Sequence, residues 1–143
     1  MKRFLKLCVL LWISLFVIAC RNSAPPGDAS LSAAQEKAAL SAADNDDLCA
    51  IKQLIAHYEA SGDVNASAEP WRARARQLGD LFELHHHATR RLLEAQEEAD
   101  AAKRARLLEE AMVSARRAAM DEPSAQSLVD QIARLQREAA EPE

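Results

Sequence analysis

The sequence predicts an all-α protein, either a short solenoid of helical hairpins resembling stacked repeats or a small helical bundle. From Ala29 onward no window alternates apolar and polar residues in the manner of a β-strand. Apolar residues instead recur at three- and four-residue intervals, which places them on one face of a helix. Aromatic residues make up only 4% of the chain. We therefore expect a thin core of small and aliphatic side chains.

Two N-terminal helices are predicted from capping residues and apolar stripes. Asp28 or Ser30 is the expected cap of an Ala-rich first helix. Its stripe is weak and consists of Leu31, Ala34, Ala38 and Ala42. The acidic run 44–47 supplies caps and favourable charge for a second helix, which ends at Gly62. The stripe of that helix consists of Leu48, Ile51, Ile55 and Tyr58.

The remaining helices follow the same pattern up to the C-terminus. Ser67 is a plausible cap of the third helix, with Pro70 tolerated in its first turn. An apolar stripe keeps its phase through Gly79, so one long helix or two helices around a turn both fit; its members are Trp71, Ala75, Leu78 and Phe82. The next helix presents Ala101, Ala105, Leu108, Met112, Ala115 and Ala119. Residues 121–124 (DEPS) break it, and a last helix presents Leu128, Ile132, Leu135 and Ala139.

The N-terminus has the composition of an export signal. Lys2, Arg3 and Lys6 form a positive segment before an apolar run of about a dozen residues, which suits a signal peptide. A membrane-spanning helix needs about 20 such residues. The alternative is an uncleaved membrane anchor in which the cysteine at its end is incidental.

Val17, Ala19 and Cys20 resemble the lipobox of bacterial lipoproteins. The resemblance implies that residues 1–19 are a signal peptide cleaved between Ala19 and Cys20, and that Cys20 carries the acyl chains that bind the membrane. In that family an aspartate after the cysteine commonly retains the protein in the inner membrane. Arg21 stands there in this chain, which favours the outer membrane and a body that faces the periplasm.

A tether is expected between the lipidated cysteine and the folded body. Pro25, Pro26 and Gly27 disfavour regular structure, so residues 20–30 are predicted to be flexible and residues 31–140 to form the helical domain. Removal of the signal leaves 15 of the 18 basic residues against 22 acidic ones. This acidic balance argues against a nucleic-acid partner.

Cys49 is the one cysteine expected to keep its thiol after processing, since Cys8 lies in the signal and Cys20 is lipidated. The aspartates just before it disfavour a thiolate. We expect Cys49 to be a small packed residue, and an intermolecular disulfide is the alternative.

Three adjacent histidines, His85, His86 and His87, form the most conspicuous polar cluster. Consecutive helical residues point about 100° apart, whereas metal-binding pairs on helices use a spacing of four. The predicted stripe places His85 near the middle of the apolar face, His86 at its shoulder and His87 outside. No metal and no cofactor is therefore predicted, with adventitious metal binding and acid sensing as alternatives to a packed or solvated role.

Small and large residues recur at fixed offsets between positions 50 and 80; they are Ala50, Leu54, Tyr58, Gly62, Ala68, Trp71, Ala75 and Gly79. This pattern resembles one unit of the SEL-like subclass of tetratricopeptide repeats. The resemblance implies two antiparallel helices that approach closely at the alanines and a turn at Gly79, and we favour that turn. Ile55 and Ser61 stand where the family has glycines. Residues 104–135 resemble the end of a more ordinary tetratricopeptide unit.

The sequence predicts a protein that is not an enzyme. No established catalytic or phosphate-binding motif occurs, and the acidic residues near 94–100 precede basic ones in the manner of a solvated helical face. We predict a lipid-anchored, periplasm-facing module that binds an envelope or secreted protein as an adaptor or assembly factor. The alternatives are an immunity or exclusion lipoprotein that neutralises a toxin or incoming plasmid, and a pilotin-like escort of a secretion component.

Overall fold

A computed structural model of the protein describes residues 30–62 and 67–140. None of these residues lies in a β-strand, which confirms the all-α class. The helices are α1 (Ala33–Ala43), α2 (Leu48–Ala60), α3 (Glu69–Gln77), α4 (Leu81–Glu97), α5 (Ala101–Asp121) and α6 (Gln126–Ala140), with a short 3-10 helix at Pro123–Ala125. The predicted signal peptide, the lipidation site at Cys20 and the tether up to residue 29 lie outside the described residues.

The chain divides into two compact units, Met1–Glu69 and Pro70–Glu143. In the first unit α1 packs against α2. The Asp47 carboxylate caps α2, because its Oδ1 accepts the backbone N–H groups of Cys49 and Ala50 at 2.9 and 3.2 Å. Ile51 and Ile55 of the predicted stripe are buried, together with Ala50 and Leu54, whereas Leu48 and Tyr58 are half-buried. Gly62 follows the helix with φ +79°, which confirms the predicted end.

The start and the buried face of α1 differ from the prediction. Ser32 caps the helix and forms a capping box with Gln35, so the predicted cap at Asp28 or Ser30 is wrong. Ala39 and Ala43 are buried, whereas two members of the predicted stripe, Ala34 and Ala38, are exposed. In so Ala-rich a helix no side is much more apolar than another, so contact with α2 decides which alanines are buried.

Gly79 ends α3 in a turn, which confirms the favoured interpretation of this glycine. Its φ is +87°, a left-handed conformation that glycine adopts at little cost. The N–H of Asp80 donates to the Ala75 carbonyl at 2.9 Å and the N–H of Gly79 to the Arg76 carbonyl at 3.1 Å. These two bonds form a Schellman motif and satisfy carbonyls at the helix end. Arg117 adds a third bond, from Nη2 to the Gln77 carbonyl at 2.8 Å.

The second unit is built on α5, which packs against both α4 and α6. Asp100 caps α5 by accepting the N–H of Lys103 at 2.7 Å. The predicted break at residues 121–124 is confirmed, since α5 ends at Asp121 and the 3-10 helix follows. The main core cluster draws on all three helices and consists of Ala88, Leu92, Ala95, Leu107, Leu108, Ala111, Met112, Ala115, Leu128 and Ile132.

Three predicted stripes are partly wrong in this unit, and the one on α6 includes Ala139, which is exposed. Phe82 is 67% exposed and Leu78 is 37% exposed, while Leu84 is buried. The left-handed turn at Gly79 resets the direction of the chain, so α4 does not continue the apolar face of α3. On α5 the first predicted alanines, Ala101 and Ala105, are exposed, while the later stripe residues are buried as predicted; these are Leu108, Met112 and Ala115.

Candidate functional site

A groove of about 350 Å³ opens in the second unit, where the last turns of α4 and α6 lie beside the N-terminal half of α5. It combines apolar and polar walls. The lining residues are Ala95, Gln96, Arg104, Leu108, Leu135, Glu138 and Ala139. Leu108 is only 2% exposed and Leu135 is half-buried, so these two leucines supply an apolar floor.

The cationic wall of the groove is held in place by the end of α4. Nε and Nη2 of Arg104 both donate to the Glu98 carbonyl, at 3.0 and 2.7 Å. A cation at the C-terminal end of a helix is favoured because the helix dipole is negative there. The Glu98 carboxylate pairs with Nζ of Lys103 at 2.5 Å. The hydrogen bond from Lys103 lowers the pKa of Glu98. The pairing raises the pKa of Lys103.

The opposite wall comes from α6 and carries the exposed carboxyl group of Glu138. Ala139 lies beside it and is exposed among the described residues. In concave apolar sites with a few polar groups, the polar groups fix the orientation of whatever binds there.

A second polar cluster lies at the turn between α3 and α4. Glu83 is 4% exposed, and its Oε2 accepts no hydrogen bond from the described residues. Burial raises the pKa of the Glu83 carboxyl, although Arg72 and His86 act to lower it. Asp80 is 7% exposed and caps α4 by accepting the N–H of Glu83 at 2.9 Å.

The predicted orientation of the three histidines is wrong. His85 and His86 are exposed, and His86 stacks on Phe82 with ring centroids 6.1 Å apart. His87 faces α5 instead, and one of its ring nitrogens lies 3.0 Å from Oγ of Ser114. The reset of the helix phase at Gly79 accounts for the difference. Among the described residues no group of three or more His, Cys, Asp or Glu is arranged to hold a metal ion.

A histidine that the sequence did not single out forms a cluster between α1 and α2. Nδ1 of His57 accepts the backbone N–H of Leu31 at 2.9 Å. Nε2 of His57 lies 3.9 Å from Oε2 of Glu36, and the Tyr58 hydroxyl donates to Oε1 of Glu36 at 2.9 Å. His57 and Leu31 are 26 positions apart, so no local pattern pairs them. The apolar stripe of α2 was the one signal that placed His57 near this surface.

The residues of the repeat resemblance lie in buried, half-buried and turn positions. The four small or aliphatic ones are buried, namely Ala50, Leu54, Ala68 and Ala75. Tyr58 and Trp71 are half-buried, and Gly62 and Gly79 both have positive φ. Within its own unit α2 packs on α1. The pairing of α2 with α3 that the resemblance implies joins residues of two units and stays a prediction.

Cys49 is exposed, so its interpretation as a packed residue is wrong. It lies in the first turn of α2, on the side away from the buried Ile51 and Leu54. The aspartates before it place the helix start here, and the helix phase then directs Cys49 outward.

No known protein family, curated protein or solved structure matches this chain. Among the described residues no helix is long and apolar enough to cross a bilayer. The described residues form an all-helical fold built from helical hairpins.

Proposed function

We propose that this protein is a lipid-anchored, periplasm-facing module that binds a partner protein and serves as an adaptor or assembly factor of an envelope complex, without an enzymatic activity of its own. The lipobox-like residues Val17, Ala19 and Cys20 support the anchor. The observation that supports binding is the groove of α4, α5 and α6, with its leucine floor and its polar walls.

The groove suits a protein partner better than a small polar metabolite. Its floor is formed by the leucines, and a buried apolar anchor supplies most of the binding energy at protein interfaces. Arg104 on one wall and Glu138 on the other offer a cation and an anion to polar groups that flank such an anchor. Arg104 is already oriented by the Glu98 carbonyl, which reduces the entropy lost when a partner binds.

The test is a crosslinked pull-down from native membranes at normal expression, with two matched variants. Ala139→Trp places a bulky ring at the exposed edge of the groove. Arg137→Trp places the same ring on the same turn of α6, at an exposed residue that does not line the groove. Cys20→Ser removes the proposed lipidation site.

An envelope component that is captured by the parent protein and by Arg137→Trp, and is lost with Ala139→Trp and with Cys20→Ser, supports the proposal. Equal capture by both tryptophan variants would remove the groove from the interface. Capture of a secreted toxin whether or not Cys20 is present would favour an immunity protein instead. Unchanged membrane attachment of Cys20→Ser would overturn the lipid anchor.

A further inference from the structure

His57 holds the chain where it enters α1, and the geometry defines its protonation state. A backbone N–H can donate to Nδ1 only if that nitrogen carries a lone pair. The 2.9 Å bond from the Leu31 N–H therefore requires a neutral ring with its proton on Nε2. The His57 side chain is 15% exposed, so the ring is largely shielded from water.

The protonated ring would have a different best partner. With hydrogens on both nitrogens, Nδ1 would present a donor to the donor of Leu31, and that hydrogen bond would be lost. Nε2 would gain a full charge at 3.9 Å from the Glu36 carboxylate. Glu36 is held for this role by the Tyr58 hydroxyl at 2.9 Å. Among the residues that the structure describes, the groups that face His57 are Glu36 on α1, the helix packed against α2, and Tyr58 on α2 itself, whose ring centroid lies 5.1 Å away.

We propose that His57 is a pH-sensitive latch. The neutral ring accepts the hydrogen bond of the Leu31 N–H and so holds Leu31 against the last turn of α2. The protonated ring loses this bond and forms an ion pair with Glu36 instead. Histidine is suited to this role because uptake of a proton turns a ring nitrogen from a hydrogen-bond acceptor into a donor. The capping box of Ser32 and Gln35 does not involve His57, so α1 itself stays helical when the latch opens. The latch does not depend on which partner the groove binds.

The test is a pH titration of the full chain in detergent micelles, followed by ¹⁵N NMR. The ring nitrogens of His57 report its tautomer and its protonation. The rate of solvent exchange of the Leu31 amide, corrected for the intrinsic pH dependence of amide exchange, reports whether the hydrogen bond to His57 is formed. Protonation of His57 is expected to reduce the protection of the Leu31 amide about five- to tenfold, as expected for one net hydrogen bond. The neighbouring Ser32 amide donates to the neutral Oε1 of Gln35 at 2.9 Å and serves as the internal control.

Two substitutions separate the latch from a packing effect. His57→Asn places a carbonyl oxygen that does not titrate near the position of Nδ1, so protection of the Leu31 amide should persist at every pH. His57→Phe has no acceptor, so protection should be low at every pH. Protected amides of the buried residues Leu54 and Ile55 identify variants in which α2 is intact.

Two results would overturn the latch. One is a proton on Nδ1 of His57 at neutral pH. The other is protection of the Leu31 amide that stays constant while the His57 ring passes through its titration. Both are read from the unmodified chain, so they decide the matter even if His57→Phe fails to fold.

Discussion

Replacement of Glu83 by glutamine is expected to stabilise the second unit at neutral pH. The Glu83 carboxyl is 4% exposed and one of its oxygens lacks a hydrogen bond from the described residues, so its charged form is poorly solvated. Glutamine has nearly the same shape and carries no charge. The substitution also removes the attraction of Arg72 and Arg76, but burial is the largest influence on the carboxyl and acts against its charged form.

We expect a gain of about 1 kcal/mol in the free energy of unfolding, because a neutral amide costs less to bury than a charged carboxylate. For a unit of this size that corresponds to a rise of roughly 4–8 °C in Tm. The assay is thermal unfolding followed by fluorescence of Trp71, in a Trp12→Phe background. Glu97→Gln on the exposed side of α4 is the matched control and should change stability by less than about 0.5 kcal/mol.

The pH dependence of this gain has a defined sign. The pKa of Glu83 is raised in the folded state, so the native protein binds more protons than the unfolded chain between the two pKa values. The penalty is complete above the folded pKa and disappears as the pH falls through the folded pKa toward the ordinary value of 4.5. The parent protein and Glu83→Gln should therefore converge in Tm on acidification. A Glu83→Gln variant that is less stable than the parent at neutral pH would show that the arginines outweigh burial.

Three further substitutions test the fold, and two of them are paired with a control variant. Ile132→Ala, at a side chain with no exposure, should cost about 3 kcal/mol in urea unfolding, and Val113→Ala, at an exposed position of α5, should stay within about 0.5 kcal/mol. Gly79→Ala should cost about 1 kcal/mol from backbone strain alone, since the new Cβ would lie at an ordinary 3.7 Å from Nη2 of Arg117; an unchanged urea midpoint would contradict this. Asp47→Ala should cost about 1 kcal/mol and reduce helical circular dichroism, whereas Asp47→Ser should retain most of the cap.

Most helices were predictable because local signals and tertiary contacts agree. Asp47 caps α2 and belongs to the acidic run that the sequence analysis assigned to the start of this helix. The alanines of α1 lacked such agreement, because side chains of equal size leave the buried face to the packing partner. The exposure of Phe82 was not predicted for another reason: an uninterrupted apolar stripe does not show how a glycine with positive φ redirects the chain within it.

The groove and the latch could not be predicted from local patterns. The groove is formed by side chains from three helices, such as Ala95, Arg104 and Leu135. The latch joins His57 to a backbone N–H, a group that every residue but proline has and that no sequence pattern marks. Both depend on tertiary packing, whereas periodicity reports only the face of a single helix.

The short connections of the second unit have a kinetic consequence. Residues 98–100 join α4 to α5, and residues 122–125 join α5 to α6, so helices that are neighbours in the chain are also partners in space. Such local contacts need little loop-closure entropy, and helical proteins of this kind fold on the microsecond-to-millisecond timescale. Rapid closure of these two hairpins shortens the time during which their apolar faces are open to other chains and limits aggregation of newly released protein.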